Sequence, residues 1–340
     1  MKTRTVQIKF STPAFLGNAE QSGQWRTPPF KAQLRQWWRM VYFSHHSSKF
    51  SIDKMRQEEG RLFGHAGQDD GNDSTRSLVR IRLQDWSTGK MASWESLPPV
   101  QHPEVGRPMP ADIYLGYGPI DIRTRKLKKN AAIQADEVNT LTIAAPDDDL
   151  PWLEQSLWLM DRYGTLGGRS RNGWGSYSLT GIDVASAPQP LQLWTDALHQ
   201  DWPHAIGKDS AGALIWKTAE HNNWQSLMQQ LASLKITLRT QFKFRTGKTQ
   251  DPEERHWLAY PVTNHGVTNW GGSARLPNSL RFKIRALPNG KLVGIIFHVP
   301  HLPPQEFRPK VEIITGVWKK VHAYLDDPRL FNFKLTRAPE

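Results

Sequence analysis

Four glycines, two arginines, an asparagine and a tryptophan fall within nine residues, Gly167-Gly168-Arg169-Ser170-Arg171-Asn172-Gly173-Trp174-Gly175. Glycine supplies positive φ wherever a chain turns sharply, so a purely structural turn is the plainest reading of this stretch. The arginines and the tryptophan add something a turn does not need: fixed positive charge and an aromatic face beside a backbone that can approach a polyanion closely. A dinucleotide fingerprint runs strand, glycines, helix, and a P-loop ends in Gly-Lys followed by Ser or Thr. This loop follows a helical pattern, precedes an alternating one and carries no such lysine, so both nucleotide-binding readings fail.

The whole chain points the same way. Its 340 residues suffice for two domains, and 15 Trp, 13 Phe and 7 Tyr give ample material to bury. Lys and Arg number 44 against 32 Asp and Glu, a formal net charge of +12 that favours nucleic acid as partner. No apolar run approaches the length of a membrane span, and Met1 to Val6 lack the apolar stretch of a signal peptide. With no cysteine, neither disulfides nor cysteine-ligated zinc are available, which suits a cytoplasmic protein. The sequence calls for no cofactor and no metal.

Val6, Ile8 and Phe10 alternate as a first strand. After the turn Ser11 to Asn18, Thr27 is an N-cap candidate with Pro28 behind it. Phe30, Leu34, Trp37, Trp38 and Val41 then share one face of a helix running to about Ser44. Lys31, Arg35 and Arg39 line the adjoining face, and no Asp or Glu between Gln21 and Phe50 neutralises them locally. Asp69, Asp70 and Asp73 lie in a polar loop and read as solvated rather than calcium-binding. Leu78 to Trp86 and Ile113 to Tyr117 give strand signals. Arg123, Arg125, Lys126, Lys128 and Lys129 form a basic run, either a solvated loop or an arm lying on phosphates. Asp147 to Asp149 open a helix that buries Leu153, Leu157 and Met160 and ends at Gly164; Trp174 to Thr180 alternate as a strand. Strand, helix, strands, helix, strand over residues 3–182 is a ferredoxin-like (RRM-like) pattern.

Ala185 to Pro190 read as a linker. Beyond it, Trp224 to Leu238 fit a helix, although Ile236 to Phe244 also alternate as a strand. Leu280, Phe282 and Ile284 lead through Asn289-Gly290 to Val293 and Ile295, a hairpin signal. Val311 to Leu325 form an amphipathic helix, and Phe331, Phe333 and Leu335 a last strand. The expected fold is α+β: two ferredoxin-like domains in tandem with long loop insertions, over residues 1–185 and 190–340.

The turn Thr12-Pro13-Ala14-Phe15-Leu16-Gly17, the helix Pro29-Phe30-Lys31-Ala32-Gln33-Leu34-Arg35-Gln36-Trp37-Trp38-Arg39 and the glycine loop together resemble the RAMP superfamily of CRISPR proteins. The early turn and the Leu-Arg-x-Trp-Trp-Arg helix are most similar to the first RAMP subunit of the type III-B (Cmr) effectors, with Leu62-Phe63-Gly64 in support. Asn18 stands where that family often has a second glycine, and Ala32 where a glycine commonly sits. The resemblance implies two RRM-like domains in a non-catalytic subunit of a ribonucleoprotein that provides antiviral defence. Its partners would be guide RNA, bound toward the 3′ end, target RNA and other RAMP subunits of the Cmr complex, with no membrane involved.

On this reading the RNA-binding residues are Gly17, Asn18, Lys31, Arg35, Arg39, Gly167, Gly168, Arg169, Arg171, Asn172, Gly173, Trp174 and Gly175. Glycine backbone N–H groups and the arginines would meet phosphates, Asn172 a 2′-OH or base edge, and Trp174 a base, although a tryptophan opening a strand is more often core. The loop and the Lys31–Arg39 stripe would line one RNA path. The competing readings are an endoribonuclease using His45 and His46, with His298 and His301 behind them, and an RNA-binding module outside CRISPR. Arg275, Arg281, Lys283 and Arg285 keep RNA binding open for the second domain.

Overall fold

A computed structural model describes residues 1–67, 74–128, 131–182, 187–245 and 247–338. Asp69, Asp70, Asp73, Lys129 and the start of the linker at Ala185 lie outside the described residues. The chain forms two compact units. The first comprises residues 1–94, 126–170 and 174–190, and the second 95–125, 171–173 and 191–340.

In the first unit, β1 (Lys2–Phe10) buries Val6, Ile8 and Phe10 and exposes the residues between. Helix α1 (Thr27–His46) buries Phe30, Leu34, Trp37, Trp38 and Val41, as its spacing predicts. Thr27 is its first residue rather than its N-cap: Arg26 holds that position, and the Thr27 hydroxyl accepts the Leu83 amide at 3.4 Å and the Trp86 indole at 3.2 Å. Helix α2 (Ile52–Phe63) starts at Ser51, whose hydroxyl accepts the Lys54 amide. Strands β2 (Arg80–Leu83) and β3 (Val138–Ala145), helix α3 (Leu150–Tyr163) and strand β4 (Tyr177–Thr180) complete the unit. At the end of α3, Gly164 donates its amide to the Met160 carbonyl at 2.8 Å.

The sheet order is β2-β3-β1-β4, antiparallel throughout, with Val6 opposite Leu141 and Phe10 opposite Tyr177. This is the ferredoxin-like arrangement, reached through a different third strand from the one the sequence suggested. Residues Ala111–Gly116 form a short helix in the second unit rather than a strand. Ile113 and Leu115 are both buried there, but so are Ala111 and Asp112, and so short a segment cannot distinguish the two periods. The third strand is β3, whose inward residues are Asn139, Leu141, Ile143 and Ala145.

The second unit repeats the topology with strands β5 (Ile215–Thr218), β6 (Leu280–Ala286), β7 (Leu292–His298) and β8 (Leu335–Arg337) and helices α4 (Trp224–Thr240) and α5 (Val311–Asp326). Its order, β6-β7-β5-β8, matches that of the first sheet position for position, again antiparallel. Asn223 caps α4 by accepting the Ser226 amide at 2.9 Å, which settles the ambiguous period there in favour of helix. The β6–β7 hairpin turns at Asn289-Gly290, with Gly290 at φ 79°. Phe331 and Phe333 stack on each other before the last strand instead of within it. Among the described residues no helix is long and apolar enough to cross a membrane.

Candidate nucleic-acid interface

Because Phe10, the last residue of β1, faces Tyr177, the first of β4, the early turn, the start of α1 and the glycine loop share one end of the first sheet. Backbone bonds bind turn and loop together. Gly168 donates its amide to the Phe15 carbonyl at 3.0 Å, Gly175 to that of Pro13 at 2.8 Å, and Ser176 to the Thr12 hydroxyl at 3.0 Å. Gly167 and Gly175 take φ values of +90° and +64°. A Cβ on Gly167 would sit 2.7 Å from the Phe15 carbonyl oxygen, and one on Gly175 only 1.8 Å from that of Leu166. These two glycines are therefore required by the protein's own close packing. The amides of Gly168 and Gly175, expected to reach phosphates, are engaged by protein carbonyls.

Trp174 departs further from expectation. It is fully buried, with ring centroids 5.3 Å from Phe15 and 5.4 Å from Trp94, so no face is open to a base. Tight aromatic packing of this kind is core chemistry, the commoner role of a tryptophan entering a strand.

The middle of the loop belongs to the second unit. Arg171 offers its carbonyl to the Phe282 amide at 3.0 Å, and Asn172 pairs parallel to Phe282, so residues 171–173 extend the β6 edge. The Asn172 side chain donates to the Leu115 carbonyl at 2.7 Å and accepts from the Lys235 ammonium at 2.7 Å. Its amide group is thus engaged inside the protein rather than presented to RNA. Gly173 is buried beside Met228 and Leu231. What remains at the surface is the outer edge of the loop, Gly167 and Arg169, with Arg169 at φ 58°.

Near the early turn, Gly17 and Asn18 are half-buried. The Asn18 side chain accepts the Ser22 amide at 2.9 Å and closes a tight turn, a bond glycine cannot make. On α1, Lys31 donates to the Ser77 hydroxyl at 3.1 Å, and burial followed by the neighbouring Arg35 lowers its pKa. Arg35 and Arg39 converge on one carboxylate, Glu59 of α2. Arg39 binds it through Nε at 2.6 Å and Nη2 at 3.0 Å, and Arg35 through Nε. The stripe is therefore neutralised in part, contrary to expectation, by a residue outside the window in which the sequence lacks acids. Both arginines stay about two-fifths exposed, at 41% and 38%, while the Glu59 side chain is 4% exposed.

The histidines named as catalytic candidates all contact neighbouring groups, although His45 stays exposed. His45 contacts the Gln155 side chain at 3.0 Å with its ring against Trp152, and His46 contacts the Tyr42 carbonyl at 2.9 Å while stacking on that ring. Both lie in the last turn of α1, where they suit the helix dipole. His298 is fully buried in the second unit between Ser279 Oγ at 3.1 Å and His322 at 3.0 Å, and His301 contacts the Val299 carbonyl.

Two ferredoxin-like folds in one chain, the first closed by a glycine loop clasped to the turn after its first strand, define the class. The chain belongs to the RAMP superfamily, whose family model matches residues 7–178. No curated protein matches it. Among solved structures it is similar to Cmr1 from Pyrococcus furiosus in its apo form, with TM-score 0.51 and 15% identity over 99% of this chain and 98% of that one. A chain of the type III-B Cmr-beta complex bound to cognate target RNA gives TM-score 0.49 and 9% identity over 94% and 100%. At 15% identity, what the chain shares with Cmr1 is the fold.

Proposed function

We propose that the chain is a non-catalytic, RNA-binding subunit of a type III-B CRISPR ribonucleoprotein of the Cmr kind. In it the chain would hold guide RNA toward its 3′ end and help to bind target RNA. The observation that carries this reading is the extent of the family match. Residues 7–178 run from within β1 to within β4 and take in every helix of the first unit and the glycine loop. The net charge of +12 suits a polyanionic partner, and the fold is similar to that of Cmr1 over nearly the whole of both chains.

RNA would run across the exposed loop edge at Gly167 and Arg169 and continue along α1. Lys31 is the fifth residue of that helix, at the shared end of the sheet. Arg35 and Arg39 follow at steps of about 6 Å along the axis. Glu59 holds both guanidiniums while each side chain stays partly exposed, so their planar forks can still meet phosphate. A non-catalytic role fits the full burial of His298. Tandem isolation from the native host tests the assignment. It should bring down other RAMP subunits and a guide RNA of discrete length; recovery of the chain alone overturns it.

A further inference from the structure

Strand β6 carries a pattern that its fold does not require. Leu280 and Phe282 are buried and line one small cavity with Leu238, Trp318 and Val321 of the helices, as the inner face of a sheet should. The alternate residues Arg281 and Lys283 point the other way and are nevertheless buried, at 8% and 0% exposure. Nε and Nη2 of Arg281 are fully buried and find no hydrogen-bond partner among the described residues. The charge that bears on this guanidinium is a second cation, Arg171 of the glycine loop. Burial and then Arg171 take its pKa down to about 9. Arg171 is held beside it by the Phe282–Arg171 backbone bond and donates Nη1 to the Asn278 carbonyl at 3.1 Å; burial lowers its pKa too. His301 completes the group. Its Nδ1 lies 2.9 Å from the Val299 carbonyl, and burial, then Arg281 and Arg171, hold its pKa near 4.

A buried charge without a partner is strongly destabilising, and folded proteins seldom keep one unless something supplies the counter-charge. Here a second guanidinium lies close to Arg281, and two donors of Arg281 are unengaged among the described residues. Planar guanidinium forks fit the oxygens of a phosphate, and a pair of them fits a singly charged diester well.

We infer that Arg171 and Arg281, with His301 at the rim, form an anion pocket of the second unit that takes one backbone phosphodiester of single-stranded RNA. The choice of a diester rests on the RNA-binding reading above, whereas the pocket itself rests on the orphaned donors. Arg171 thereby acquires a role different from that of the exposed loop edge. It belongs to a second phosphate position, reached by the part of the loop built into the other unit.

The test uses the full chain and Arg281→Met, which keeps the length of the side chain and removes the charge. Without ligand, the variant should melt above wild type, because an unpaired buried charge has gone. It should bind a short fluorescent oligouridylate about tenfold more weakly, with the slope of log affinity against log salt smaller by about 0.7. Arg281→Lys, which keeps the charge and loses the fork, should also bind more weakly and covers the case in which the Met variant does not fold. Binding and slope equal to wild type in either variant overturn the pocket while leaving the RNA-binding reading intact. Wild type that binds no RNA overturns both. If inorganic phosphate stabilises wild type as well as the oligonucleotide does at equal phosphate concentration, the site is one for free phosphate and the diester assignment fails.

Discussion

Lys235 donates its ammonium to the side-chain oxygen of Asn172 at 2.7 Å, joining α4 to the middle of the glycine loop. The same asparagine donates to the Leu115 carbonyl, so one side chain fastens three segments of the second unit. Asn172→Ala should therefore act on folding. It leaves a lysine and a carbonyl half-buried without these partners, and we expect a loss of about 1–3 kcal/mol, read by urea denaturation. A variant as stable as wild type that binds RNA more weakly would return Asn172 to the RNA contacts.

Gly175→Ala tests the clasp between turn and loop. With φ +64° and a Cβ 1.8 Å from the Leu166 carbonyl oxygen, the methyl has no room. A loss of about 2–5 kcal/mol is expected, from left-handed backbone strain and overpacking together. Thermal melting of the full chain measures it, and an unchanged melting temperature contradicts the close approach.

Glu59→Gln removes the carboxylate that Arg35 and Arg39 share. Stability should fall by about 1–3 kcal/mol, less than for a fully buried pair because both arginines keep solvent contact. If the α1 stripe lies on the RNA path, the same variant should bind RNA more tightly, with a salt slope steeper by about 0.7. Unchanged affinity would remove Arg35 and Arg39 from that path.

The buried chain Ser279–His298–His322 predicts acid sensitivity. Burial keeps His298 well below the usual histidine value; burial also takes His322 down to about 3, opposed by Asp209 and assisted by Arg337. In the unfolded chain both titrate at about 6.5. Below that value the unfolded state binds more protons, so this contribution is complete above about 6.5 and drains as pH falls, for His322 down toward 3 at about 1.4 kcal/mol per pH unit. Urea midpoints between pH 7.5 and 5 should fall, and His322→Gln should flatten that dependence. A variant with an undiminished slope would place the sensitivity elsewhere.

Helix α1 was legible in the sequence because its apolar period is long and Pro28 marks its start. The two ferredoxin-like folds were legible from the helices and the hairpin, whereas the third strand of the first unit and the first strand of the second, Ile215–Thr218, were not. Less legible was anything fixed by partners remote in sequence. Arg35 and Arg39 read as un-neutralised because Glu59 lies 24 and 20 residues away on another helix. Gly167 and Gly175 read as phosphate-binding because the carbonyls that demand them come from Phe15 and from Leu166 across the loop. The β3 strand escaped notice because asparagine and alanine share its inner face with Leu141 and Ile143. Arg281 was visible only as one cation in a basic strand, since orphaned donors are a property of packing.

On the proposed function, the chain binds RNA through its phosphates, with the exposed loop edge at Arg169 taking part. The most direct measurement is the affinity of the full chain and of Arg169→Ala for a single-stranded oligouridylate across a range of salt concentrations. Wild type should show a steep negative slope and the variant one shallower by about 0.7, with weaker binding at every concentration. Affinity independent of salt, or two superimposable lines, would contradict it.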